Sequence, residues 1–300
     1  MKKASGSLLL LLTALIWGTA FVAQRFGMNF VGPFTFQSVR TLLGCLALLP
    51  VLFWRRRKLG AAFRMPSLKA MFACGLPLAL ASTLQQIGLT TVSAGKAGFI
   101  TALYVVLVPV LGIFLGRRTG VRTWIGVGLA VAGLYLLSGV GSLSVASGEV
   151  LVIFCAILYS LQILAIDRFA PACDGVALSL CQFLVAGLLP LPFALFLEHP
   201  QLSQLWAGRW AIFYTGVFSC AIAYTLQIIG QKHTPPTLAS LIMSLESVFS
   251  AVFGALLLGE TMSGRELTGS ALMLSAVLLS QIGAGKETES PAAQPVEQND

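Results

Sequence analysis

The chain has 300 residues, 57% of them hydrophobic and 10% charged, with a formal net charge of +8 and a mean hydropathy of +0.88. A soluble domain carries roughly 25% charged residues, so this composition excludes a water-soluble globule. The charges are crowded between apolar runs of about 20 residues, the length that crosses ~30 Å of hydrocarbon at ~1.5 Å per residue.

Spans are predicted over 5–24, 33–54, 68–89, 95–116, 121–140, 147–166, 176–197, 208–230, 237–258 and 266–284, an all-α membrane protein of ten transmembrane helices. The first run follows Lys2 and Lys3, as a signal peptide would. It continues past Trp17 to about Ala23 without a small-x-small cleavage pattern, which predicts a retained helix. The six cysteines fall almost entirely in apolar runs and lack C-x-x-C or Cys/His ligand spacing, so they read as small core residues. After Gly285 the segment KETESPAAQPVEQND, residues 286–300, is polar and proline-containing and reads as a disordered tail.

Basic residues alternate in density from one connection to the next. Lys2, Lys3, the run RRRK from Arg55 to Lys58, Arg64, Lys69, Arg117, Arg118, Arg122, Arg168, Lys232 and Lys286 fall on one side. Only Arg25, Lys96, Arg209 and Arg265 fall on the other. The positive-inside bias then places both termini in the cytoplasm, and an inner (cytoplasmic) membrane location is expected for a helical chain of this kind. The bias also makes the Arg55–Lys58 run a headgroup anchor, with no nucleic acid among the expected partners.

An internal repeat runs through the chain. Thr83-Leu84-Gln85 with Gly88 recurs as Thr225-Leu226-Gln227 with Gly230, an offset of 142. LYVVLVPVLGIFLGRR (Leu103 to Arg118) matches LESVFSAVFGALLLGE (Leu245 to Glu260) if one residue is inserted. Thereafter an offset of 143 sets Gly116, Arg122 and Gly126 on Gly259, Arg265 and Gly269. Trp17-Gly18 pairs more weakly with Tyr159-Ser160. Two units follow, 1–142 and 143–285. Five helices per unit is an odd number, so the second enters the membrane from the opposite side: two inverted five-helix repeats, a plan that allows alternating access by rocking.

LIWGTAFV in the first helix, Phe36-Gln37-Ser38-Val39-Arg40 in the second, TLQQIGL followed by SAGKAGFITALYVVLVP, and LLLGE in the second half together resemble the drug/metabolite transporter superfamily, EamA type, over about residues 5–284. The resemblance implies ten helices, cytoplasmic termini and transport of amino acids or other small metabolites, often as export. This chain departs from the pattern in two places. The acidic residue after the glycine is present as Glu260 but replaced by Arg117 in the first half, and Lys96 stands at a site normally small and apolar.

Polar side chains inside spans are where function is sought, because an ionised, unpartnered one costs ~2.5 kcal/mol or more at the bilayer centre. The candidate substrate pathway is Trp17, Arg40, Gln85, Lys96, Tyr104, Tyr159, Tyr224, Gln227 and Glu246. Arg40 either touches substrate or bonds backbone carbonyls, and Lys96 either attracts an anion or snorkels to the interface. Gln85 and Gln227 occupy the same position in each repeat, as do Tyr104 and Glu246. Glu246 is read either as a proton carrier or as the ion-pair partner of Arg40 or Lys96. Gln86, Gln162 and Gln182 read as interhelical glue, and Trp54, Trp124, Trp206 and Trp210 as interfacial anchors.

No phosphate-binding loop, H-E-x-x-H or plausible Ser/His/Asp set is present, and no cofactor or metal is expected. The expected function is a secondary transporter of a small metabolite, with coupling to a proton or ion gradient left open. An intramembrane enzyme and a non-transporting scaffold or receptor are the competing readings. Cysteines introduced between Gly141 and Ser147 are expected to react with an impermeant thiol reagent applied outside, and cysteines near Lys58 are not; the reverse pattern overturns the orientation.

Overall fold

The computed structural model of the chain describes residues 2–117, 119–137, 147–258 and 263–283, and every regular element among them is helical. The helices are α1 (Lys2–Gly27), α2 (Pro33–Leu59), α3 (Leu68–Gly88), α4 (Ala94–Thr101), α5 (Tyr104–Phe114), α6 (Val121–Leu137) and α7 (Ser147–Phe169). They continue as α8 (Gly175–Glu198), α9 (Leu202–Ala207), α10 (Arg209–Gln231), α11 (Pro236–Met243), α12 (Glu246–Leu258) and α13 (Gly264–Gly283). Eight stretches among the described residues are helical, long and apolar enough to cross a bilayer, so the chain is a multi-pass membrane protein. α6 is a shorter apolar helix. The end of the 121–140 span, most of the Gly141–Ser147 connection, Arg118, Glu260 and the polar tail lie outside the described residues.

Helix starts follow from side chains that satisfy the first free N–H groups. Ser67 caps α3, Ser93 caps α4, and Asp174 accepts from Val176 N and Ala177 N at the start of α8. Pro33 and Pro236 open α2 and α11, where a missing N–H costs nothing. The start of α2 is capped from a distance: Glu198, at the end of α8, accepts from Phe34 N and Thr35 N at 3.0 and 2.7 Å. At the span ends Trp54 and Trp206 lie exposed, with Lys58 and Arg209 over their rings, as interfacial anchors do.

Besides a turn at Leu189–Pro190 within α8, two predicted spans are each split into two helices. Residues 95–116 form α4 and α5, broken at Ala102–Leu103, and 237–258 form α11 and α12, broken at Ser244–Leu245. At each break the ladder tightens to i−3 bonds, Leu103 N to Ile100 O and Leu245 N to Ile242 O, both 3.2 Å. The residues that restart the helices are Tyr104 and Glu246. α10 carries wide π-type turns over Tyr214–Tyr224.

The helices interlock across the middle of the chain. α3 packs along α7 and α8, α10 packs along α1 and α2, α2 packs on α8, and α6 on α13. Glycines set the closest approaches. A Cβ on Gly6 would stand 3.0 Å from Gly230 O and one on Gly148 would stand 3.3 Å from Gly88 O, and these two contacts are related by the offset of 142. In the α6–α13 seam a Cβ on either Gly133 or Gly269 would meet the other's carbonyl at 2.6 Å. Close backbone approach through small residues is what holds helices together where lipid is as apolar as leucine. Gly128, on the same helix, has nothing within 4 Å of a built Cβ. Gly133→Val is therefore expected to destabilise the detergent-purified protein by about 1–3 kcal/mol, read as a lower melting temperature, whereas Gly128→Ala leaves it unchanged.

Candidate functional site

One cavity in the bundle interior gathers nearly all the side chains singled out in the sequence. It is lined by Trp17, Phe21 and Gln24 of α1, Arg40 of α2, Gln85 of α3, Thr101 of α4 and Tyr104 of α5. Tyr159, Gln162 and Ile163 of α7, Ser219, Tyr224 and Gln227 of α10, and Glu246 of α12 complete it. Its volume of about 30 Å³ leaves room for two or three waters at ~10–15 Å³ each. A metabolite enters only if the helices part.

Arg40 is 4% exposed, and its cation is answered by neutral groups. Its Nη1 donates to Gln24 Oε1 at 2.7 Å, and its Nε and Nη2 donate to Gln37 Oε1 at 2.9 and 2.6 Å. Gln37 is one turn before Arg40 and faces it. The Gln37 amide nitrogen is in turn anchored on Ser82 Oγ of α3 at 2.6 Å. No carboxylate pairs with Arg40 among the described residues.

Glu246 is 3% exposed and accepts from the Tyr104 hydroxyl at 3.0 Å. It pairs with neither Arg40 nor Lys96. The α1 backbone reaches it because Gly18 has no side chain: a Cβ there would stand 2.9 Å from Glu246 O. A polar relay lines the same cavity. Tyr224 donates to the Tyr159 hydroxyl at 3.2 Å, Tyr159 to Gln85 Oε1 at 3.4 Å, and Gln85 Nε2 to Thr101 Oγ1 at 3.1 Å. On the other side Gln227 donates to Gln162 and Gln162 to Gln182, while Gln227 Oε1 is buried without a partner. Trp17 forms an aromatic wall, its ring 4.7 Å from that of Tyr224 and its Nε1 donating to Ser219 O at 3.4 Å, a carbonyl within the wide turns of α10.

Lys96 lies apart from this cavity. Its ammonium pairs with Glu149 at the start of α7, an ion pair that ties α4 to α7. Gln24, Gln37 and Thr101 were not singled out in the sequence. The i, i+3 spacing of Gln37 and Arg40 is a signal that could have found the first amide partner of the guanidinium, whereas Gln24 sits at a predicted helix end and carries none.

The EamA-like transporter family profile matches residues 4–139 and again 146–281. An uncharacterized transporter of Archaeoglobus fulgidus is 31% identical over 265 residues, covering 88% of this chain and 81% of its own length. The uncharacterized inner membrane transporter YedA of Escherichia coli K12 is 26% identical, covering 83% of this chain and 81% of its own. An S-adenosylmethionine/S-adenosylhomocysteine transporter of Chlamydia muridarum is 25% identical over 84% of both chains. A solved crystal structure with 20% identity superposes with a TM-score of 0.79, covering 96% of this chain and 100% of its own, and so shares the fold. With a bundle of apolar helices, an interior lined by buried polar groups and two profile matches that span nearly the whole sequence, the chain is a membrane transporter and belongs to the EamA-like transporter family.

Proposed function

We propose that the chain is a secondary transporter that carries a small zwitterion of the amino-acid type through the Arg40–Glu246 cavity by alternating access. The observation that carries this reading is a buried guanidinium and a buried carboxyl lining one cavity, each hydrogen-bonded only to neutral groups. An isolated buried charge is costly, and a ligand group of opposite sign recovers part of that cost. A carboxylate beside the Arg40 guanidinium and an ammonium beside the Glu246 carboxyl satisfy both at once, with the unpartnered Gln227 Oε1 as a further acceptor and Trp17 and Tyr224 against the apolar part. The cargo named for the Chlamydia muridarum relative, S-adenosylmethionine, carries both groups.

Alternating access is supported by the relation between the halves: ten helices as two inverted five-helix repeats, 1–142 and 143–285. The breaks at Ala102–Leu103 and Ser244–Leu245 differ by 142 positions, as do Tyr104 and Glu246, and the Gly6–Gly230 and Gly88–Gly148 contacts exchange under the same shift. Broken helices at matching positions are where transporters of this plan bind their cargo. The narrow cavity then corresponds to a state closed on both sides, and parting of the halves at one face admits substrate. Both termini are cytoplasmic in this reading, the chain acts without catalysis, and gradient coupling is through whatever ion accompanies the exchange.

Proteoliposomes containing only this protein test the proposal with a panel of labelled neutral amino acids, each beside its decarboxylated amine and its deaminated acid. Counterflow is expected for at least one zwitterion and at least tenfold less for either singly charged analogue. Arg40→Gln and Glu246→Gln are each expected to lower transport about 10- to 100-fold, the loss of one charge-assisted hydrogen bond of ~1.5–3 kcal/mol, with melting temperatures near that of the parent. Equal transport of an amine or an acid by the parent and the two variants contradicts it.

A further inference from the structure

The basic face of the bundle holds a second polar cavity, separate from the central one. It is about 230 Å³ and is lined by Ala62, Arg64, Pro171, Cys173, Asp174 and Lys232. Three candidate spans end around it, Pro33–Ala62, Ser147–Ala172 and Arg209–Gln231, so it sits at the edge of the apolar layer, where headgroups begin.

The charge balance of this cavity is specific. Asp174 is its one lining carboxylate and is already committed: Oδ1 accepts from Val176 N and Ala177 N, and Oδ2 from Arg55 at 2.7–2.8 Å. Lys232 is half-buried, and its three-donor ammonium gives one hydrogen bond, to Cys173 O at 2.6 Å. Burial pushes its pKa below the ordinary lysine value, with Asp174 acting in the opposite direction. Arg64 is held through its backbone, whose carbonyl accepts from Asp174 N at 2.9 Å. Its guanidinium forms no ion pair among the described residues. Two cations with spare donors thus line one opening while its carboxylate is neutralised by Arg55 and a helix start.

We infer that this cavity is an anion site for a phosphate group, held between the guanidinium of Arg64 and the ammonium of Lys232. A phosphate oxygen fits the free donors of both, and Arg takes it through two parallel N–H groups. The site joins the α2–α3 connection to the α7–α8 and α10–α11 connections, so an occupant clamps elements from both ends of the sequence at one membrane face. The phosphate has two sources, an anionic phospholipid headgroup or a soluble phosphate.

The full-length protein, delipidated in neutral detergent, decides between them. In one arm it is reconstituted in nanodiscs of phosphatidylcholine with or without phosphatidylglycerol, and retained phosphatidylglycerol is counted by native mass spectrometry. In the other arm, melting temperature is followed against inorganic phosphate at constant ionic strength, with chloride as the comparison salt. Saturable binding is expected in at least one arm. Arg64→Gln and Lys232→Gln should each weaken it about tenfold, and Lys69→Gln, exposed on the same face but outside the cavity, should leave it unchanged. Arg64→Gln removes no side-chain hydrogen bond or ion pair among the described residues, so it reads out binding even if Lys232→Gln folds poorly. Binding in the lipid arm alone assigns a headgroup, and binding with inorganic phosphate assigns a soluble ligand. No binding in either arm, or equal weakening by Lys69→Gln, overturns the site.

Discussion

In a bilayer interior an ionisable group must be answered by the protein or by the few waters that an internal cavity holds. Arg40 and Glu246 meet that constraint without each other: the guanidinium leans on the amide oxygens of Gln24 and Gln37, and the carboxyl on the Tyr104 hydroxyl. Neutral partners hold both side chains in place, and no ion pair joins them among the described residues. The surrounding interior fixes these groups: Ser82 anchors Gln37, Gly18 lets α1 approach the Glu246 backbone, and the Tyr224–Tyr159–Gln85 relay lines the same cavity.

The proposed alternating access adds a second constraint, that this interior open. The bundle has little hydrophobic force between its helices, so backbone contact at glycine does the holding, in the Gly6–Gly230, Gly88–Gly148 and Gly133–Gly269 approaches. Contacts of this kind are short-ranged and directional, and a modest rotation of one group of helices breaks some while leaving others. Polar links sit at the ends of the same interfaces. Asp174 with Arg55 ties α8 to α2 at the basic face, and Glu198 caps α2 from α8 at the opposite face. The α2–α8 pair is thus fastened by polar links at both ends as well as by packing between them.

Much of this was legible in the sequence, for identifiable reasons. The multi-pass, all-helical character follows from run length and charge spacing, and the convergence of Gln85, Gln227, Tyr104 and Glu246 on one cavity follows from a shared register. The helix breaks were not legible, because neither Ala102–Leu103 nor Ser244–Leu245 contains proline or glycine; the tightening there is imposed by packing. The Lys96–Glu149 pair joins residues 53 positions apart on different helices, and nothing local in either segment announces it. Gln24 looks like an ordinary helix end until Arg40 is seen to reach it. Gly126, Gly128 and Gly133 share α6, yet Gly128 faces open space while the other two meet α13, because the presence of a glycine does not say which face of a helix meets a neighbour.

The central claim is that the Arg40–Glu246 cavity is a path open to each side of the membrane in turn. It is tested most directly by placing a single cysteine at Gln227 in a chain whose six native cysteines, all buried, have been replaced by alanine or serine. With an impermeant thiol reagent supplied to one side of sealed vesicles at a time, the account predicts labelling from either side, slowed from both sides by a saturating transported amino acid. Labelling from neither side, or from one side at a rate that the transported amino acid does not change, would contradict it.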